Sequence, residues 1–209
     1  MNARAMRADV NRPDDDDLVG RVRDGDADAF ALLVERYKRP VYGLAYRMLG
    51  NAADAEDAAQ ETFVRAYTRL CTYQPDGRVG AWLLAITSHW CIDFLRTRGR
   101  RGPTVALGRV PETERFISQS DGPEEHALRG AGCDEVQGWL AELPHNYRLV
   151  LTLRYFHELS YNEIAATIGE PVSTVRMRLF RARALFQKLA QQAQAREAQA
   201  WCALEHSAA

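Results

Sequence analysis

The residues best placed to do chemistry lie between Ser160 and Arg183. Ser160-Tyr161-Asn162-Glu163 has the form of a capping box, in which the serine hydroxyl takes the amide of the glutamate and the glutamate reaches back. Ile164, Ala165 and Ile168 form the inward side of a short helix, and Gly169 supplies the left-handed turn that ends it. Pro171 then opens a second helix at its first position. Val172, Val175, Leu179, Ala182 and Phe186 form its inward stripe; Ser173, Met177 and Arg181 lie opposite, flanked by Thr174, Arg176 and Arg178. Between positions 171 and 188 there is no acidic residue. Such a helix suits a major groove: arginines present paired donors to guanine edges, each worth roughly 1–3 kcal/mol of discrimination. Ser173 and Thr174 at its start suit phosphate contacts. An exposed basic helix in a bundle, or one that binds an acidic partner, has the same composition, so the pattern alone leaves those readings open.

These residues must be held by helices. Apolar positions recur at helical spacing over most of the 209 residues, with no alternating strand and no Asn-Gly hairpin. The periodicity predicts helical segments over 14–36 with a break near Gly25, over 38–49 with Pro40 in the first turn, over 52–70 after an Asn51 cap, and over 79–98. The last carries a stripe of Val79, Leu83, Ile86, Trp90 and Phe94. Residues 99–132 are rich in Gly and Pro and have no hydrophobic period, so they read as a flexible, acidic linker. Helical pattern resumes near 134 and continues to about 195. The expected organisation is all-α: a 1–13 disordered N-terminus, a 14–98 helical domain, a 99–132 linker, a 133–190 helix-turn-helix domain and a 191–209 tail that extends the last helix and then frays.

Composition excludes several classes. The net charge of −1 decides nothing, but its distribution is uneven. Acids crowd at Asp14–Asp17, Asp24, Asp26 and Asp28, and arginines at Arg96–Arg101 and Arg176–Arg183, which suggests an anionic partner meeting two local surfaces. Cys71, Cys91, Cys133 and Cys202 form no metal-ligand spacing; Cys71 and Cys91 fall in helical patterns and read as small buried hydrophobes. There is no P-loop, no Gly-x-Ser-x-Gly and no His/carboxylate cluster, and His89, His126, His145, His157 and His206 are scattered. The expectation is a non-enzyme with no cofactor and no metal. No apolar run reaches membrane-spanning length and the acidic N-terminus is unlike a signal peptide, so membrane insertion is not expected and a cytoplasmic location is.

Three stretches in order carry a family resemblance. Residues 53–67, ADAEDAAQETFVRAY, are similar to the DAEDLVQETFLRAW helix of the extracytoplasmic-function (ECF) sigma factors. Ala81-Trp82-Leu83, then Ile86, Asp93, Leu95 and Arg96, resemble AWLxxIxxNxxxDxLR, with His89 in place of the asparagine. Leu143-Pro144 through Arg183 resembles the family's LPxxxRxV…PxGTVxSRLxRAR stretch, with Met177 in place of a serine. Together they cover about 16–98 and 134–189.

The resemblance implies a bacterial promoter-specificity factor with a sigma region 2 bundle and a sigma region 4 helix-turn-helix. The partners it implies are core RNA polymerase (the clamp helices of the largest subunit, the flap of the second-largest), promoter DNA and an anti-sigma factor. It implies a polymerase-binding face at Asp54, Asp57, Gln60, Glu61 and Arg65; of these, Asp57, Glu61 and Arg65 follow one another at i, i+4, i+8, and mutual pairing on a solvated face is the alternative. It places −10 contacts at Tyr73, Gln74, Arg78, Trp82 and His89, where Tyr73, Gln74 and Arg78 offer the stacking group and donors that capture of a flipped base requires. It places −35 contacts at Ser173, Thr174, Arg176, Met177, Arg178 and Arg181. Trp82, Trp90 and Phe94 read as core more than as DNA wedges. Gly80, Ala85 and Ser88 leave the fourth helix less cationic than the family pattern. The competing readings are a stand-alone helix-turn-helix transcription regulator that needs no polymerase core, and a helical adaptor that binds only protein.

Overall fold

The computed structural model describes residues 13–74, 78–100 and 135–207. Among them every regular element is helical: α1 Asp15–Arg23, α2 Ala27–Leu49, α3 Ala52–Arg69, a 3₁₀ turn Leu70–Thr72, α4 Val79–Arg100, α5 over 135–142, α6 His145–Tyr155, α7 Tyr161–Ile168 and α8 Val172–Ser207. The expected linker and the extreme N-terminus lie almost entirely outside the described residues.

Local chemistry sets the boundaries. Asp26 accepts from the amides of Asp28 and Ala29 to open α2, and Asn51 accepts from those of Ala53 and Asp54 to open α3. Such a cap is worth about 1 kcal/mol. Gly50, at φ 71°, closes α2 and donates its N–H to the Tyr46 carbonyl. Only a glycine reaches that left-handed conformation without cost.

Pro40 does not open a helix. α2 runs unbroken through it for 23 residues. An interior proline costs about 3 kcal/mol. Burial of Leu33, Val41, Leu44, Ala45 and Met48 along one continuous face opposes that cost, each large side chain contributing roughly 1.5–3 kcal/mol.

α3 buries small residues, Ala55, Ala58, Ala59, Thr62 and Ala66, so α2 and α4 approach it closely. The Thr62 hydroxyl satisfies itself on the Ala58 carbonyl at 2.8 Å and lies 3.2 Å from Thr87 Oγ1 of α4. Gly80 allows a second close approach: a Cβ there would stand 2.8 Å from the Tyr37 ring. That ring is tethered through its hydroxyl to Asp15, which also pairs with Arg36.

The expected stripe of α4 is not its whole buried surface, and it divides between two cores, Val79, Leu83 and Ile86 on one and Trp90 and Phe94 on the other. Leu83 belongs to an apolar cluster with α1, α2 and α3, whereas its neighbour Leu84, with Cys91, belongs to a second cluster with Leu140, Leu153, Ile164 and Leu179. α4 is therefore a shared wall between the two halves of the molecule. Cys91 is buried as expected, but Cys71 is exposed, because it falls in the 3₁₀ turn beyond the end of α3.

α6 is the centre of the second half. Leu149, Val150, Leu151, Thr152 and Leu153 are all buried, which requires neighbours on every side. Those neighbours are α7, α8, α4 and the end of α2. Arg148 is buried with them. It donates to the carbonyls of Ala141 and Leu143 at the end of α5 and of Met48 at the end of α2. Helix C-termini leave carbonyls without internal partners and carry partial negative charge, so one guanidinium satisfies two of them at once.

Candidate nucleic-acid interface

α7 and α8 build the helix-turn-helix. The Ser160 hydroxyl accepts from the Glu163 amide at 3.3 Å, and Glu163 Oε2 accepts from the Ser160 amide at 2.7 Å. These bonds with Ser160, and Arg78 at longer range, hold the Glu163 carboxyl below its ordinary range. Gly169, at φ 69°, makes the turn. α8 begins at Val172, with Pro171 immediately before it accepting from the Val175 amide. Val175, Leu179 and Ala182 are buried and Val172 and Phe186 pack against the core, as the stripe predicts.

The opposite face of α8 is presented to solvent. Ser173, Arg176, Met177 and Arg181 are exposed and Thr174 is half-buried. Arg178 is engaged, donating to Glu170 at 2.9 Å, and Arg183 donates to the Tyr161 hydroxyl at 3.3 Å. The sequence reading missed Phe180, which is 75% exposed beside Met177 at 46%. Its signal was available: it is a large hydrophobe one residue off the inward stripe. Met177 and Phe180, one turn apart, put an apolar strip among arginines, the chemistry that meets a thymine methyl.

On α3, Asp57 and Gln60 are exposed and Glu61 is half-buried, its carboxylate 2.6 Å from Arg65 Nε. Asp54 sits differently, paired with Arg98 of α4 at 3.0 Å. The same face carries Val64 and Tyr67, 58% and 53% exposed, which the sequence reading also passed over. This exposed face is thus mixed, with an apolar centre of Val64 and Tyr67 beside the Glu61–Arg65 pair.

The α3–α4 junction forms a third surface. Tyr73 is 5% exposed: its hydroxyl donates to Asp16 at 3.1 Å and accepts from the Arg78 amide at 3.2 Å, and its ring lies against Trp82 with centroids 5.2 Å apart. It forms the wall of a hollow more than an open platform. Gln74 and Arg78 are exposed at the rim, and Trp82 is half-buried in the lining. His89 is exposed two turns further along α4, with Nδ1 2.7 Å from the Ala85 carbonyl. Trp90 and Phe94 stack on each other with centroids 5.0 Å apart and pack against the core. Among the described residues no group of His, Cys, Asp and Glu has the arrangement of a metal site. No described helix is long and apolar enough to cross a membrane.

Fold and surface together define a helical protein built around a helix-turn-helix with a basic reading helix. Residues 33–101 match the family described as Sigma-70 region 2, and residues 133–186 match that described as Sigma-70, region 4. The chain is 37% identical over 186 residues to the RNA polymerase sigma-H factor of Pseudomonas aeruginosa, covering 87% of this chain and 96% of that protein. It is 37% identical over 177 residues to the ECF RNA polymerase sigma factor SigW of Bacillus subtilis, covering 81% and 93%. It is 37% identical over 171 residues to the ECF RNA polymerase sigma-E factor of Escherichia coli, covering 79% and 88%. Among solved structures it resembles CnrH in complex with the cytosolic domain of CnrY, with a TM-score of 0.62 at 27% identity over 85% of this chain and 97% of that one. It shares the fold of RpoE from Bartonella quintana, solved in complex with the anti-sigma factor NepR, with a TM-score of 0.61 at 21% identity over 78% and 96%. The chain belongs to the sigma-70 family, in its ECF group of RNA polymerase sigma factors.

Proposed function

We propose that this sigma factor docks on core RNA polymerase through the exposed face of α3 and directs initiation at promoters whose −35 element is read by α8 and whose −10 element is opened at the α3–α4 junction. The observation that carries the reading is the acid-free, solvent-facing start of α8, mounted on a capped helix-turn-helix in a chain that also presents the mixed face of α3. Asp57, Gln60, Glu61, Arg65, Val64 and Tyr67 meet the clamp helices of the largest subunit, with Asp54 bracing α3 against α4. The second half sits on the flap of the second-largest subunit. Ser173 and Thr174 position the helix on phosphates; Arg176, Met177, Arg181 and Phe180 face base edges. Gln74, Arg78, Trp82 and His89 meet the non-template −10 strand, with Tyr73 shaping the hollow.

No catalytic step is assigned to the chain, which acts in the cytoplasm with its polymerase. Its contribution is binding free energy. Unstacking a base step costs a few kcal/mol, offset by trapping the released base and by anchoring upstream. An anti-sigma factor competes for the same surfaces. The test is in vitro transcription with core enzyme over a pool of genomic promoter fragments, with and without the protein. Start sites that depend on it are expected; a chain that neither co-elutes with core nor yields them acts instead as a stand-alone regulator or a protein-only adaptor.

A further inference from the structure

α1 precedes the residues, 33–101, that match Sigma-70 region 2, yet it reaches the α3–α4 junction at two points. Its apolar side, Leu18, Val19 and Val22, shares one core cluster with Leu70, Tyr73, Val79 and Leu83. That burial seats the helix against the junction, and its polar side then makes directed bonds. From the last turn of α1, Arg23 donates to the Leu70 carbonyl, at 2.9 Å from Nη2 and 3.3 Å from Nε, and to the Tyr73 carbonyl. From the first turn, the Asp16 carboxylate accepts from the Tyr73 hydroxyl at 3.1 Å.

The phenol carries the second tie across the loop. The same Tyr73 oxygen accepts from the Arg78 amide at 3.2 Å, and the Arg78 carbonyl accepts from the Trp82 amide at 3.0 Å in the first turn of α4. Asp16, Tyr73 and Arg78 thus form one chain of hydrogen bonds that joins α1 to the start of α4. Both ends of the 73–78 loop are fixed in this way: the Tyr73 carbonyl by Arg23, and the Arg78 N–H, through the phenol, by Asp16. Tyr73 is 5% exposed, and a buried chain of hydrogen bonds whose members are satisfied specifies one arrangement.

What the brace holds is the part of the junction that would meet a base. Gln74 and Arg78 stand at the rim of the hollow and Trp82 lines it. A loop that is already ordered loses less conformational freedom when it binds. A site whose donors and stacking groups are supported by neighbours also discriminates better than one left loose. Removing Asp16 takes away the anchor of the phenol on α1, and with it the tie between α1 and the Arg78 amide.

We propose that α1 is a positioning element for −10 recognition: Asp16 and Arg23 hold Tyr73 and the backbone of Arg78 so that the hollow favours one base at one position of the element. Asp16 and Arg23 are positioning residues. They touch no base and act through the loop they hold. The inference rests on the sigma-factor reading of the α3–α4 junction.

The experiment is transcription by the full-length protein with core RNA polymerase over a promoter library with a fixed −35 element and a randomised −10 element. Four variants are compared with wild type. Asp16→Ala and Tyr73→Phe break the chain of hydrogen bonds. Asp16→Asn removes the charge but keeps an oxygen that accepts from the phenol, and Asp17→Ala removes the same charge from the exposed neighbouring residue. Thermal unfolding identifies the variants that stay folded; Tyr73→Phe retains the buried ring and keeps the test available if Asp16→Ala unfolds. The expected result is a base preference at one −10 position that falls by about fivefold or more in Asp16→Ala and Tyr73→Phe. Affinity for a −35 duplex stays unchanged, and Asp16→Asn and Asp17→Ala keep the wild-type profile. An unchanged preference in the two breaking variants, or an equal loss at every −10 sequence, overturns the brace. A loss shared by Asp16→Asn and Asp17→Ala assigns the effect to charge and overturns it as well. A wild-type protein with no −10 preference fails the reading of the junction itself, whereas a wild-type preference that the breaking variants retain leaves that reading standing without the brace.

Discussion

Arg178 of α8 donates to Glu170 across the turn of the helix-turn-helix, Nη2 to Oε1 at 2.9 Å, so one arginine of the reading helix is held by the acid that precedes it. The pair is partly solvated and is worth little to stability. In the proposed −35 contact its effect falls on DNA. Replacing Glu170→Gln removes a negative charge beside the phosphates and releases a cation toward them. Promoter affinity should rise about two- to fivefold, and the slope of log K against log salt should steepen by up to about one. Filter binding across a salt series measures both. No change in slope would show that Arg178 stays away from DNA in either state.

In the proposed −35 contact, Met177 and Phe180 bear on which sequence is read. Both are exposed, so their replacement leaves the core intact. Met177→Ser should exchange a methyl contact for a hydroxyl, changing the preferred base at one −35 position by about 1–3 kcal/mol. Phe180→Ala should weaken discrimination nearby. Selection from a randomised −35 library reads the shift; identical consensus sequences for all three proteins would remove both side chains from base readout.

The apolar centre of the α3 face tests polymerase docking. Val64 is exposed and contributes little to the fold. Val64→Glu should leave the melting temperature within a degree or two of wild type while weakening core binding about tenfold or more, the equivalent of at least about 1.4 kcal/mol. Native core binding by this variant would move the docking surface elsewhere.

His157 gives the packing an acid sensitivity. Burial, with the Arg47 cation adding to it, pushes its pKa down to about 4 from 6.5, and Nε2 is buried without a hydrogen-bond partner. Because the folded value lies below the unfolded one, the neutral ring is favoured in the fold. Stability is full above pH 6.5 and falls as pH drops toward 4. His145 shifts in the same direction, through burial and Arg148. At pH 5 the loss from His157 is on the order of 1–2 kcal/mol. Denaturant unfolding at pH 7.5 and 5, with His157→Gln as the control, should show a smaller pH effect in the variant.

Much of the chain was legible residue by residue. Ser160 with Glu163, Gly169, Gly50 and Asn51 mark helix ends by bonds within a few positions of themselves, and the inward stripe of α8 follows from one period. Pro40 was misread because its local cost is outweighed by apolar residues on both sides of it along α2. Cys71 reads as buried from its apolar neighbours, but α3 ends at Arg69 and the 3₁₀ turn that follows carries the thiol to the surface.

Helical character, most helix ends and the arginine-bearing face of α8 follow from local sequence, because each depends on backbone geometry and neighbours at i+3 and i+4. Long-range packing assigns Leu83 and Leu84 to different cores, brings Arg148 and Gln137 to carbonyls about ninety to a hundred residues away, and makes Tyr73 a wall. Periodicity tells a helix which side to hide. It does not tell a second face what will cover it, nor a helix end which distant donor will satisfy it.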